Sequence, residues 1–468
     1  MAYEPFRFAG FGGGLNLRDK VDVVNEAEAI DLLNVVFSER GVVSQRFGYD
    51  DFTTTALTND VDTLEAYYKT DGTKQLLAGC GTRLEAINTS GAIVASQTGL
   101  TTGTWDFCRF GSPGSEVAYA GNGKNLLYKW NGTAWASVAN SPKARYLAVM
   151  AVAQGTRMVV GGFDDDATGG PSASQTYTNR VWFSDAGAPE TWGANNYQTL
   201  TPGDGEKIQN VIAWREFVFV FKETKFFVFT STSTDSSGNP IFNYRTVDTG
   251  VGLASPRAVA TAPDGIYFMA RDGVYFTSGG DPTQVSDLID PIWTGNVSDF
   301  FTGGVLAHSA ITNCAMTFFE EKLYLAYPTS TTNNRVLVFD PRYEWWSLWD
   351  IPASCLTGFR ISDRAELVFG YATGANEIGR YSSAYTNDDG SAITAFWRGG
   401  WSDFGLTTEK TIRESKMWGS GQMTFGVSTD FAGSGFYADD PVEPVVLSGA
   451  TVYWQSGTWQ NSTWAGQF

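Results

Sequence analysis

The sequence predicts a mostly β fold, and specifically a β-propeller of about six to eight blades. Short aromatic or β-branched runs alternate with turns rich in Gly, Asp and Asn, which is the sequence pattern of β-hairpins. About seven such hairpins recur at a spacing of roughly 40–50 residues, as expected for propeller blades of four short strands. With 52 Gly and 16 Pro in 468 residues, the composition is that of a turn-rich folded protein and excludes disorder and collagen. Two packed β-domains would produce a similar string of hairpins and remain the alternative.

Each predicted hairpin consists of two apolar runs around a polar turn, and together the hairpins place the propeller in residues 56–385. In chain order the paired runs are 64–68 with 75–78, 116–120 with 126–130, 157–160 with 180–183, 216–221 with 225–229, 264–269 with 273–276, 322–327 with 335–339, and 366–369 with 378–381. The third pair is separated by a long loop rich in Asp, Gly and Ser.

The N-terminal region, residues 1–55, lies outside the repeat and is predicted to be extended with one helical element. Asn25 is followed three residues later by Glu28, and this pair has the pattern of an N-cap with a reciprocal acid. Because Ile30 and further apolar residues follow, the pattern predicts one short helix here.

The C-terminal region, residues 386–468, also lies outside the repeat and is predicted to be a β-rich appendage. Its alternating runs are 393–404, 411–417 and 423–428. Its last stretch contains three tryptophans at five-residue spacing, Trp454, Trp459 and Trp464. Their side chains either stack on sugars or anchor a protein partner, or they pack against the sheet of the appendage itself.

Charge and hydropathy limit the partners of the chain. The sequence has 32 Lys and Arg against 50 Asp and Glu, a net charge of −18, whereas a protein that binds DNA through its phosphates needs a basic surface. The charge balance therefore argues against ordinary sequence-tolerant DNA binding, although it does not exclude a local basic patch. No run approaches the 18 or more apolar residues of a membrane span, and residues 1–10 contain no apolar signal core, so neither a membrane span nor an export signal is expected.

Few residues are suited to catalysis or to holding a cofactor. The single histidine, His308, would have to serve any catalytic triad or Cys–His pair, and an isolated histidine is more often structural. The glycine cluster 12–14 lacks the Lys-Ser/Thr of a phosphate-binding loop. The four cysteines have no C-x-x-C spacing and are predicted to be buried thiols: Cys80, Cys108, Cys314 and Cys355. We expect no enzymatic activity, no cofactor and no metal.

Two acidic motifs have both a structural and a functional interpretation. Asp164, Asp165 and Asp166 could attract a hard cation, but they lack the ligand spacing and distal Glu of an EF-hand, which favours a solvated loop. The run 184–192 (SDAGAPETW) resembles the Asp-box turn, S-x-D-x-G-x-x-x-W, of sialidases and other propellers, except that its Asp falls one position early. In sialidases the box is a structural turn, so a single copy supports a propeller more than an enzyme.

The order of several motifs resembles that of a known family. Residues 13–16 (GGLN) are followed by 28–31 (EAID), 34–35 (NV), 39–41 (ERG) and 46–49 (RFGY). This series resembles the opening of tailed-bacteriophage tail proteins. Further similarities follow in the segments 180–192, 264–276, 322–346 and 385–404. The chain as a whole resembles the propeller-bearing nozzle or tail-hub proteins of short-tailed phages, including the packaged-DNA stabilisation proteins.

The resemblance implies a structural virion protein that is made in the host cytoplasm and forms a homo-hexameric ring at the distal end of the tail tube. Such a ring continues the DNA channel, helps to retain packaged DNA, contacts adaptor or connector proteins and holds fibres or spikes. An acidic lumen would repel phosphates, so DNA could slide through it without specific binding. A ring also needs no catalytic constellation, because its function lies in shape and closure.

Candidate contact residues follow from their location alone. Arg18 and Arg46 in the N-terminal region and the three C-terminal tryptophans are candidates for contacting partners, and a salt bridge inside the fold is the alternative role of the arginines. The loop that begins at Asp164 is a candidate for reaching into the lumen or to a neighbouring subunit. The alternative is that it is an ordinary surface loop. The alternative function is a tail-associated propeller that binds or cleaves glycans, which carboxylates, arginines and tyrosines converging at the central mouth would favour. A cellular scaffold propeller is a second alternative.

Overall fold

The structure is a computed structural model that describes residues 10–38, 41–112, 114–151, 155–163, 177–234, 240–372 and 374–401, together with four short strands beyond residue 402. The chain divides into two units, 1–402 and 403–468. The first unit confirms the mostly β prediction, because its described residues form a β-propeller of seven blades.

Each blade is an antiparallel sheet of four strands, which follow one another below from the innermost strand to the outermost. Blade 1 consists of Thr63–Tyr68, Lys74–Cys80, Arg83–Asn88 and Ile93–Gln97. Blade 2 consists of Asp106–Phe110, Val117–Gly121, Tyr128–Trp130 and Trp135–Ser137. Blade 3 consists of Tyr146–Met150, Arg157–Gly161, Arg180–Phe183 and Tyr197–Thr199. Blade 4 consists of Asn210–Trp214, Phe217–Phe221, Phe226–Thr234 and Pro240–Val247. Blade 5 consists of Val259–Thr261, Ile266–Met269, Val274–Thr277 and Thr283–Gln284. Blade 6 consists of Ala315–Phe319, Lys322–Pro328, Asn333–Asp340 and Trp345–Trp349. Blade 7 is Ala353–Arg360, Ala365–Tyr371, Ile378–Tyr381 and Tyr49–Asp51.

Each of the seven predicted hairpins belongs to a different blade. The middle strands are apolar on both faces, as in Phe217–Phe221 (FVFVF), because a neighbouring blade covers each face. The buried apolar side chains form seven clusters, and each cluster lies mainly between two adjacent blades. The cluster between blades 5 and 6 also takes in Leu15, Leu32 and Val35 from the N-terminal region.

The N-terminal region closes the propeller. The strand Tyr49–Asp51 pairs with Ile378–Tyr381 and becomes the outermost strand of blade 7, whose other three strands come from the end of the repeat. The propeller therefore contains residues of the segment 1–55, which the sequence pattern had placed outside it. Backbone hydrogen bonds between Tyr49–Asp51 and Ile378–Tyr381 thus join the N-terminal region to the end of the repeat.

The helix predicted after Asn25 does not form. Its capping contacts do form, since the Ala27 amide donates to Asn25 Oδ1 at 3.0 Å and the Asn25 amide donates to Glu28 Oε2 at 3.2 Å. The chain then continues as the strand Ala29–Leu33, which pairs with Phe396–Gly399. Burial and strand pairing outweigh the local cap signal here. The helical segments among the described residues are two 3-10 turns and one α-helical turn, Asp287–Ile289, His308–Asn313 and Pro291–Thr294.

The remaining strands belong to the N-terminal region and to the second unit. Val35–Phe37 pairs with Val43–Gln45. Residues 386–401, which the sequence pattern assigned to the appendage, belong to the first unit. In the second unit the described strands are Lys416–Met417 with Val452–Tyr453 and Ser420–Met423 with Val445–Ser448. No helix in the described part of the chain is long and apolar enough to cross a membrane.

Candidate functional site

The GGLN motif fastens the N-terminal region to blade 6. The Leu15 amide donates to the Trp346 carbonyl at 2.9 Å, and the Leu15 side chain is fully buried. Gly14 has φ of +73°, and a Cβ there would lie 2.9 Å from the Trp346 nitrogen, so this position requires glycine. Asn16 is buried and donates to Asp19 and Glu28 at 2.9 and 2.8 Å. The motif is thus an anchor of the fold.

Arg46 is also a structural residue, because its side chain is completely buried. Its guanidinium donates to both oxygens of Asp388 at 2.8 and 2.6 Å, to Asp350 Oδ1 at 2.8 Å, to Asn34 Oδ1 at 2.8 Å and to the Phe47 carbonyl at 2.9 Å. Asn34 in turn donates to the Thr394 carbonyl at 2.8 Å. The guanidinium therefore fulfils the alternative role of a salt bridge inside the fold.

The other predicted contact residues differ in what the structure describes. Arg18 lies at the surface and pairs with Asp287 and, at 3.4 Å, with Asp19. The remaining candidates lie outside the described residues: Asp164, Asp165, Asp166, Trp454, Trp459 and Trp464.

The N-terminal region also exposes apolar side chains. Val23, Val42 and Phe47 are 68%, 56% and 50% exposed. A contiguous patch of such side chains would be typical of a surface that another protein covers. Phe47 directly follows the buried Arg46, so an apolar surface group and the closure of the propeller occupy the same stretch of chain.

A channel of about 1080 Å³ runs between the seven innermost strands. Its walls carry four acidic and four basic side chains among the described residues, so the channel is mixed in charge rather than acidic. They are Asp62, Glu65, Asp106, Glu116, Arg109, Arg145, Lys207 and Arg257. Tyr68, Phe110 and Phe318 add half-buried aromatic rings to the same walls.

Two carboxyl groups in the channel have strongly altered proton affinity. Burial raises the pKa of Glu65 to about 7, opposed by Arg109, whose Nε lies 3.4 Å from Glu65 Oε1. Burial also raises the pKa of Asp106 to about 7, opposed by the backbone amides of Leu147 and Phe107. The Leu147 amide donates to Asp106 Oδ2 at 2.8 Å. Clustered groups of altered pKa inside a cavity are a general mark of binding or catalytic sites.

Arg257 spans one mouth of the channel, the one at which the innermost strands begin. From blade 5 its guanidinium donates to the carbonyls of Asp62 at 2.5 Å, Ser354 at 3.2 Å and Asn313 at 3.1 Å. One side chain thereby ties blade 5 to the segments around the start of the innermost strands of blades 6, 7 and 1.

The residues that the sequence analysis considered for catalysis or metal binding have structural roles within the fold. His308 Nε2 lies 2.7 Å from the Trp293 carbonyl, and since a carbonyl only accepts, this nitrogen carries the proton. The four cysteines are buried thiols, as predicted. The run 184–192 forms a turn between the outer strands of blade 3, where Ser184 Oγ accepts from the Met158 amide at 2.9 Å and Asp185 Oδ1 accepts from Asn196 at 2.6 Å. Among the described residues, no three acidic, His or Cys side chains form a metal site.

Sequence reasoning missed the channel residues, although a signal was present. Glu65 and the pair Asp106 and Arg109 interrupt runs that are otherwise apolar or aromatic, LEAYY and WDFCRF. Each run begins a blade, and the first strand of a blade is the one that lines the channel. A charged residue within the first apolar run of a repeat is therefore the pattern that could have found them.

The similarities to known proteins concern the fold alone. No family model matches the sequence, and no curated protein is similar to it in sequence. Among solved structures, the chain is similar to BBS1N in complex with ARL6DN, with 10% identity and a TM-score of 0.46 over 72% of this chain and 98% of that one. It is similar to the Neurospora crassa Pan2 WD40 domain, with 6% identity and a TM-score of 0.43 over 73% and 97%. It is also similar to PorZ of Porphyromonas gingivalis, with 10% identity and a TM-score of 0.39 over 81% and 43%.

Proposed function

We propose that the protein is a structural component of a phage tail, a nozzle or hub without enzymatic activity that assembles into a closed, hexameric ring in the virion. The observation that carries this proposal is the architecture of the N-terminal region. The motifs of the resemblance, GGLN and RFGY, fasten this region to the propeller and close it, while Val23, Val42 and Phe47 of the same region stay exposed. A closed ring needs a surface on each subunit that fits its neighbour, and we assign these side chains to that surface.

The DNA conduit of this proposal lies between subunits. Arg257 spans the propeller's own channel, so DNA would pass through the lumen of the ring. The net charge of −18 per chain, repeated around a ring, would repel phosphates and let DNA slide without specific binding. Connector proteins on one side and fibres or spikes on the other would be the neighbours.

The decisive experiment measures the mass of the purified chain by native mass spectrometry and locates the chain in intact particles by cryo-electron microscopy. A closed ring around a channel, or a monomer that forms one on a connector, is the expected result. A stable monomer that is absent from particles would refute the proposal.

A pair of variants then tests the interface. Val42→Asp places a charge on the exposed apolar surface of the N-terminal region and should prevent ring formation. Val94→Asp is the matched control, because Val94 is 47% exposed in the outermost strand of blade 1 and should leave the ring intact. Equal assembly of both variants would exclude the surface around Val42 as the interface.

A second candidate function is glycan binding by the propeller. The specific observation in its favour is the channel, where carboxyl groups, arginines and Tyr68 converge on one cavity. The span of Arg257 across one mouth counts against passage through the channel but leaves the opposite mouth for a ligand.

A further inference from the structure

The walls of the channel that blades 1 and 2 contribute contain polar atoms that the fold does not use. Arg109 has one partner among the described residues, Glu65, which it contacts through Nε at 3.4 Å. Its two terminal amino groups therefore remain available as donors. Glu65 Oε2 likewise has no partner in the described part of the chain, and the Arg109 side chain is 49% exposed.

We propose that the central channel binds an uncharged, polyhydroxylated ligand, one or more sugar units of an oligosaccharide, held by Glu65, Asp106 and Arg109. This ligand class rests on the second candidate function and gives it a chemical identity. The ligand proposal can fail without the ring proposal, because ring formation is measured as a mass and ligand binding is measured by titration.

The hydrogen-bonding capacity of these groups matches sugar hydroxyls. A hydroxyl both donates and accepts, so it is best met by groups that offer both functions. With pKa values raised to about 7, Glu65 and Asp106 are present in neutral and ionised forms near neutral pH and can donate as well as accept. Arg109 supplies additional donors.

Aromatic rings on the same cavity match the apolar C–H faces of a sugar ring. Tyr68, Phe110 and Phe318 line the channel and are half-buried. The Tyr68 ring is held in place, because it stacks on Phe359 with ring centroids 6.2 Å apart and its hydroxyl accepts from the Arg360 amide at 2.8 Å. A fixed, partly exposed ring is a suitable stacking platform.

Side chains of both signs line the channel, and this mixture favours an uncharged ligand over an ionic one. Acidic and basic side chains are equal in number among the lining residues that the structure describes. A strongly anionic ligand would meet the carboxylates, and a strongly cationic one would meet the arginines and Lys207. The volume of about 1080 Å³ is of the order that ligand pockets have, roughly 300–1,000 Å³.

The experiment is binding of the full-length chain to an immobilised panel of neutral and sialylated oligosaccharides, followed by calorimetric titration with the soluble form of the best binder. Glu65→Ala and Arg109→Ala should each weaken binding about tenfold or more, because each removes a charge-assisted hydrogen bond. Arg342→Ala is the matched control, since Arg342 is also 49% exposed and pairs with Glu321 at 3.1 Å outside the channel. It should bind like the parent chain.

Three results would overturn the proposal. The first is no binding of any neutral oligosaccharide at millimolar concentration. The second is binding that Glu65→Ala and Arg109→Ala leave unchanged while their thermal unfolding matches the parent chain, which would place the site elsewhere. The third is binding of sialylated oligosaccharides alone, which would refute the preference for an uncharged ligand. None of these three results would count against ring formation, which is measured separately on the same preparation.

Discussion

Replacing Arg46 by methionine is expected to destabilise the propeller severely, because the closure depends on a buried charge. The guanidinium is fully buried and makes five hydrogen bonds, two of them to Asp388. Methionine fills much of the space but leaves Asp388, which is 14% exposed, without its cation. Removing one partner of a buried ion pair costs about 3–5 kcal/mol of unfolding free energy. Arg46→Met should lose that amount.

Two further variants separate the charge from the packing. Arg46→Lys keeps the charge but cannot grip Asp388 with two parallel hydrogen bonds, so it should lose an intermediate amount. In the double variant Arg46→Met/Asp388→Asn the uncompensated carboxylate is gone, and about 1–3 kcal/mol should be recovered.

The assay is equilibrium unfolding in urea, followed by tryptophan fluorescence and by far-UV circular dichroism, with the loss read from the midpoint at constant slope. Arg18→Met is the control, because Arg18 and Asp287 are 45% and 62% exposed, and such surface pairs contribute about 0–1 kcal/mol. A loss below about 1 kcal/mol for Arg46→Met, or equal losses for both variants, would refute the reasoning that the buried network holds the closure.

Three other predictions concern the closure and the channel. Gly48→Ala should unfold or strongly destabilise the chain, since its Cβ would lie 1.8 Å from the Asn387 carbonyl oxygen; a normal urea midpoint would contradict this. Arg257→Met should cost about 2–4 kcal/mol through its lost hydrogen bonds to carbonyls, and an unchanged midpoint would show that the span across the mouth contributes nothing. Because the folded state raises the pKa of Glu65 and Asp106 to about 7, it binds their protons more tightly than the unfolded chain does, so stability should fall between about pH 4 and pH 7. Glu65→Gln should flatten this fall, and urea midpoints that rise with pH would give the opposite sign.

The repeat could be predicted because each blade carries its own local signal. Apolar runs around turns of Gly, Asp and Asn mark strands whether or not their neighbours are known, as Ile266–Met269 and Val274–Thr277 around Asp272 and Gly273 illustrate. The closure could not be predicted in the same way. Tyr49–Asp51 is a polar strand of three residues, and only its pairing with Ile378–Tyr381, at the far end of the repeat, makes it a strand.

The candidate site depends even more on contacts between residues that are far apart in the sequence. Nothing near Arg46 in the sequence shows that Asp350 and Asp388 will surround it, so exposure and burial were equally compatible with its position. The charged channel residues were overlooked because they are scattered over blades 1 to 5, with no more than three from any one blade. The failed helix after Asn25 shows the converse, since correct local capping contacts did not decide what followed them.

The N-terminal region closes the propeller and also exposes apolar side chains, and in the ring proposal these two roles are physically coupled. Arg46 holds the closing strand in place from inside, and Phe47, the next residue, projects toward solvent with half of its surface exposed. If a neighbouring subunit covers Phe47, whose ring lies beside Tyr381 of blade 7, it binds the closed propeller in preference to an open one. Binding that selects the folded state stabilises it by mass action. Assembly would then lock the closure, and a weakened closure, as in Arg46→Lys, would weaken assembly to the extent that it lowers the fraction of closed propeller, whereas a channel variant such as Arg109→Ala would change neither.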